Sequence, residues 1–141
     1  MPSDSLTRAL LAEAHSIAIV GLSEQAHRSS YVVAALLQRN GYRIIPVNPF
    51  LSRPVLGEQP YAILQDVKTP IDIVAIFRRP EFVLEVVEAA IAIGVKTVWM
   101  PLGVVNHEAA HIARAAGLNA IMDRCIAIEH RQLTRPITMV Y

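Results

Sequence analysis

Short apolar runs rich in β-branched residues alternate along this chain with longer segments whose apolar residues recur at helical spacing. That alternation is the mark of βαβ units, in which crossover helices join parallel strands. Strands are predicted at residues 16–21, 43–47, 72–77, 97–100 and 119–122. The run Ile17-Ala18-Ile19-Val20 is apolar at every position rather than at alternate ones, as strands covered on both faces are. It is therefore expected at the sheet centre.

The helices carry their own punctuation. A leading helix is predicted over 4–14. Ser30 is the expected N-cap of a second helix, with Val33, Leu36 and Leu37 as its apolar stripe and Asn40-Gly41 as its stop. Pro80 stands where a first-turn proline belongs, and Val83, Val86, Val87, Ala90 and Ile91 line one face before Gly94. Asn106 is expected to cap a helix running to Ala116, and a last helix is predicted over 125–133. Pro46 and Pro49 exclude a helix just after the second strand, so the segment on to Tyr61 reads as an irregular connection.

These elements define an α/β fold: a doubly wound, mainly parallel, five-stranded Rossmann-type sheet with helices on both faces. The expected strand order is 3-2-1-4-5, which opens a ligand crevice at the carboxyl ends of strands one and four. A length of 141 residues suits one domain, with its core at about 5–133 and a tail at 134–141. Thirteen basic against twelve acidic residues, without a basic cluster, argue against a nucleic-acid partner. The lone Cys125 excludes an internal disulfide, and no apolar stretch reaches the length of a membrane span. Asp4 and Glu13, with no basic n-region, do not read as a secretory signal, so a cytoplasmic address is expected. A mean hydropathy of +0.38 is high for a small monomer and suggests an apolar patch covered in a homodimer.

In such a fold the functional residues come from loops that follow strands, here 21–30, 47–49, 77–80 and 100–105. Gly21 ends the first strand where a dinucleotide fingerprint begins, but Leu22, Ser23, Glu24, Gln25 and Ala26 supply none of its later glycines. In their place Ser23, Arg28, Ser29 and Ser30 offer hydroxyls, a guanidinium and a helix N-terminus to an anion. The second strand ends in Pro46-Val47-Asn48-Pro49, without the carboxylate that holds the ribose of NAD. Phe77 is followed by Arg78-Arg79, a pair of cations suited to a phosphate.

Taken in order, Val20-Gly21-Leu22-Ser23, Arg28-x-Ser30-Tyr31, Ile45-Pro46-Val47-Asn48-Pro49, Ile76-Phe77-Arg78-Arg79, Trp99-Met100 with Leu102-Gly103-Val104, and Met122-Asp123-Arg124-Cys125 resemble the stand-alone CoA-binding domain family. That family is related to the N-terminal domain of the succinyl-CoA synthetase α subunit. The resemblance implies coenzyme A or an acyl-CoA as the ligand of a non-catalytic carrier or sensor. It puts Gly21, Leu22, Ser23, Arg28 and Ser30 near the pantetheine and diphosphate. Val47, Asn48, Pro49, Phe77, Arg78 and Arg79 would surround the adenosine end, with Gly103 also in the site. Pro101 departs from the pattern, since relatives often carry glutamine there.

Rival readings are an NADP-dependent reductase, a CoA transferase using Cys125, or a structural subunit whose tail, residues 137–141, offers a strand edge. His107-Glu108-Ala109-Ala110-His111 matches the H-E-x-x-H metalloprotease pattern, but it would open a helix, and Arg114 stands where the extended motif has glycine. It reads as a solvated helix face, and no metal is expected. Trp99 is expected in the core.

Overall fold

A computed structural model describes residues 3–134. The order of elements is α1 (Asp4–Glu13), β1 (Ser16–Val20), α2 (Ser29–Arg39), β2 (Arg43–Val47), β3 (Ile73–Ile76), α3 (Val83–Ile93), β4 (Thr97–Trp99), α4 (His107–Ala115), β5 (Asn119–Ile121) and α5 (Ile126–Thr134). Short 3₁₀ turns at Leu64–Asp66 and Pro80–Phe82 precede β3 and α3. The five strands form one parallel sheet. The doubly wound architecture expected from the sequence is present, and the proposed strand edge in residues 137–141 lies outside the described residues.

Each strand sends alternate side chains to opposite faces, and both faces are covered. Ala18, Val20, Ile45, Val74, Ile76 and Val98 pack with α3, α4 and the Leu64–Asp66 turn. Ile17, Ile19, Ile44, Ile73, Ala75 and Trp99 pack with residues of α1, α2 and α5. Trp99 is fully buried, as expected, and its indole N–H donates to the Arg124 carbonyl at 2.8 Å.

The strand order is 2-1-3-4-5, which corrects the expected 3-2-1-4-5. β3 lies at the sheet centre, β1 between β2 and β3, and β2 at an edge. Pro46 supplies the reason. Tyr61 donates its N–H to the Pro46 carbonyl at 2.9 Å on the side of β2 away from β1. The N–H that proline lacks would point the same way, so a full strand paired there would miss a ladder hydrogen bond. Tyr61 occupies that edge instead, and the chain crosses beneath β1 to reach its other side.

Ser30 also differs from expectation. α2 begins at Ser29 with Arg28 at the N-cap position, and the Ser30 hydroxyl, inside the first turn, accepts the Ser23 N–H at 3.0 Å. Asn106 does cap α4, accepting the Ala109 N–H at 2.9 Å.

At the amino ends of the strands one carboxylate ties three elements together. Asp72 accepts the N–H groups of His15 (2.7 Å) and Ser16 (3.2 Å) at the start of β1, and Lys96 before β4 lies 3.6 Å away. Burial raises the Asp72 pKa, but the two N–H donors and Lys96 together outweigh it and hold the carboxyl below its usual range. A lowered carboxylate pKa gives stability that is complete above about pH 3.9 and is lost as pH falls through the folded-state value. Asp72→Ala should therefore cost about 2 kcal/mol at pH 7. In urea unfolding the gap between variant and wild type should narrow below pH 4; a gap that stays constant would show that the charge contributes nothing.

Candidate functional site

The reversal of winding falls between β1 and β3, so the crevice opens at the carboxyl ends of these two strands rather than at those of β1 and β4. Gly21 leaves β1 with φ +85° and donates its N–H to the Val47 carbonyl at 2.8 Å. A Cβ on it would lie 2.2 Å from the Phe77 carbonyl oxygen. Only glycine fits here, and because it fits, the loops after β1, β2 and β3 converge.

Two cavities adjoin at this convergence and share Gly21, Asn48, Phe50 and Phe77. The first, about 510 Å³, is lined by the first loop with Ser23, Glu24, Gln25, Arg28, Ser29 and Ser30, by Leu51, and by Pro101, Leu102 and Val104 after β4. The Arg28 side chain makes no capping hydrogen bond to α2, whereas α1 and α4 are capped by Ser3 and Asn106. The first-turn N–H groups of α2 thus belong to an uncapped helix end at which Ser29 and Ser30 line the cavity, an arrangement that favours an anion.

The second cavity, about 620 Å³, lies toward α3. It is lined by Val47, Pro49, Ala62, Ile63, Leu64, Gln65, Arg78, Glu85, Val86 and Ala89. The Arg78 guanidinium stacks 4.8 Å from the Phe82 ring centroid and lies 4.0 Å from the exposed Glu85 carboxylate. An ion pair that long and that solvated holds the arginine weakly, leaving its charge available to a ligand.

Of the residues singled out in the sequence, Gly21, Ser23, Arg28, Ser30, Val47, Asn48, Pro49, Phe77 and Arg78 line one or both cavities. Leu22, Arg79 and Gly103 line neither. Leu22 is fully buried in the core, Arg79 is exposed at the head of the Pro80–Phe82 turn, and the Gly103 N–H donates to the Asp123 carboxylate at 2.7 Å. Asn48 acts as a clip, donating to the Leu22 carbonyl at 3.0 Å and accepting the Phe50 N–H at 2.9 Å. The sequence reading did not single out Glu24, Gln25, Phe50, Leu51, the 62–65 wall, Glu85 or Ala89; Glu24 and Gln25, inside the loop after β1, and Phe50, beside Pro49 at a strand end, carried a local signal.

The groups whose pKa the fold displaces all lie off the cleft. A hydrogen bond from Arg124 holds Asp4 low, and the same contact raises Arg124. Burial pushes Tyr42 up and His130 down. His107 and His111 are exposed on α4, and no group of three or more metal-ligating side chains occurs among the described residues. Nor is any described helix long and apolar enough to cross a membrane.

A parallel α/β sheet with a double cleft at its switch point defines this protein as a Rossmann-like member of the doubly wound class. The model of the CoA binding domain matches residues 15–131, and the chain belongs to that family. It is 37% identical over 129 residues to the uncharacterized protein YneT of Bacillus subtilis, covering 92% of this chain and 95% of YneT. It is similar to a hypothetical protein from Pyrococcus horikoshii, with 35% identity, a TM-score of 0.91 and coverage of 95% and 94% of the two chains. The fold, at 21% identity and a TM-score of 0.66, also recurs in a dinucleotide-forming acetyl-coenzyme A synthetase 1 of Ca. Korarchaeum cryptofilum, over 77% of this chain and 26% of the synthetase.

The two glycines of the cleft region should respond differently to a methyl group. Gly103 also has positive φ, +86°, but nothing lies within 4 Å of its Cβ position. Gly103→Ala should cost about 1 kcal/mol from backbone strain alone. Gly21→Ala, which adds the clash with Phe77, should cost about 3 kcal/mol or more. Urea unfolding of both variants would check this, and equal costs would mean that the loops after β1 and β3 are free to part.

Proposed function

We propose that the chain binds coenzyme A, free or as an acyl thioester, across the carboxyl edge of the sheet, and serves as a carrier or sensor rather than an enzyme. The observation that carries this reading is the pair of cavities joined at Gly21, one with an uncapped helix end and the other an apolar slot beside Arg78. Family membership supports the same ligand. The diphosphate would meet the first turn of α2 with Ser23 and Arg28. The adenine would lie in the slot between Pro49 and Ile63, with its ribose 3′-phosphate toward Arg78.

Cys125 lines neither cavity, and none of the groups with displaced pKa does. A transferase using that thiol gains no support. Asn48 after β2 is neutral and engaged with the backbone, so the cleft has no carboxylate there for the ribose hydroxyls of NAD.

Titration calorimetry with CoA, 3′-dephospho-CoA and NAD tests the assignment. CoA should bind well and NAD hardly. Arg78→Ala should weaken CoA about tenfold or more, the loss of one charge-assisted contact to phosphate, while dephospho-CoA loses far less. Arg79→Ala should change neither ligand appreciably. Equal binding of CoA and dephospho-CoA by the wild type would remove Arg78 from the phosphate, and tighter binding of NAD would overturn the ligand itself.

A further inference from the structure

Two large apolar side chains on the rim of the first cavity are held out in water by turns that the fold has fixed. Phe50 is 91% exposed and Leu102 is 68% exposed, and both line that cavity. Phe50 sits in a tight turn closed by the Leu51 N–H on the Asn48 carbonyl (3.2 Å) and pinned by the Asn48 side chain. Leu102 sits at the corner of a turn closed by the Val104 N–H on the Pro101 carbonyl at 2.9 Å. Gly103, at φ +86°, supplies the left-handed residue such a turn needs, and Asp123 fixes its N–H. Turn corners ordinarily carry polar residues, glycine or proline, and a single exposed apolar residue needs no explanation. Two of them, independently pinned over one cavity, need a partner.

We infer that the ligand of this site is an acyl thioester with an apolar chain of several carbons, not free coenzyme A, and that Phe50 and Leu102 cover that chain. The inference rests on the CoA reading above. With the phosphates at the first turn of α2, the apolar part of the first cavity is the strip beneath Phe50, Leu51, Leu102 and Val104, to which the pantetheine arm would bring the sulfur. None of these residues, nor Pro101, has a side chain able to attack a thioester, and the one carboxylate that lines the cavity, that of Glu24, stands on the first loop.

Each methylene fully removed from water is worth about a fourfold gain in affinity, and the four extra methylenes of hexanoyl over acetyl, half covered, a gain of about fifteenfold. Calorimetry with CoA, acetyl-CoA and hexanoyl-CoA should give that ranking, with hexanoyl-CoA about tenfold or more tighter than CoA. Leu102→Ser and Phe50→Ser should each pull the ratio of hexanoyl-CoA to CoA affinity toward one, and thermal melting would confirm that these exposed substitutions leave the fold intact. Wild-type binding of CoA and hexanoyl-CoA with equal affinity would overturn this inference while leaving the CoA assignment standing, and failure of both to bind would overturn both. A concentration-dependent dimer in sedimentation, abolished by Leu102→Ser and unaccompanied by any acyl preference, would reassign the two side chains to self-association.

Discussion

The carboxyl end of β1 is wedged between its neighbours, and the cleft depends on that contact. Gly21 hydrogen-bonds to Val47 on one side and abuts the Phe77 carbonyl on the other, while the Phe77 N–H returns to the Val20 carbonyl at 2.8 Å. Three strands therefore leave the sheet through one point of backbone contact. A side chain at position 21 would push the loops apart and divide the two cavities that now meet there. The floor of the cleft is main chain, so its shape follows from the hydrogen-bond ladder rather than from rotamers.

The two ends of the sheet are built for different tasks. At the amino end Asp72 and Ser16 cross-link the starts of β1 and β3, with Ser16 donating to the Pro70 carbonyl and its hydroxyl accepting the Asp72 N–H. At the carboxyl end the polar side chains either hold loops in place, as Asn48 and Asp123 do, or stand loosely paired, as Arg78 does. Closing the sheet firmly at one end lets the other stay open without loss of register.

Element type was legible because it rests on local periodicity: the Val83, Val86, Val87 and Ala90 stripe, the Asn106 cap and the Gly94 stop all stand where the residues place them. Strand order is a long-range property, and the expected order ignored the one local residue that bore on it, Pro46. A proline inside a strand already argues for an edge. The 62–65 wall could not be read because an irregular connection has no period, and its place beside α3 is set by tertiary packing alone. Ser30 was placed beside the right cavity for an incomplete reason: a hydroxyl that could cap its own helix instead holds the backbone of the preceding loop at Ser23.

The proline that sets the strand order also affects how the molecule meets copies of itself. An open sheet has two raw edges, each a template on which a foreign strand can add and start aggregation. On β2 the template is interrupted by the missing N–H of Pro46, and Tyr61 occupies the neighbouring hydrogen-bonding positions. β5 at the opposite edge is only three residues long, and its outward carbonyl, that of Ala120, accepts a hydrogen bond from the Arg114 guanidinium at 2.8 Å. A chain with 53% hydrophobic residues thus carries a sheet with little to offer a passing strand at either side.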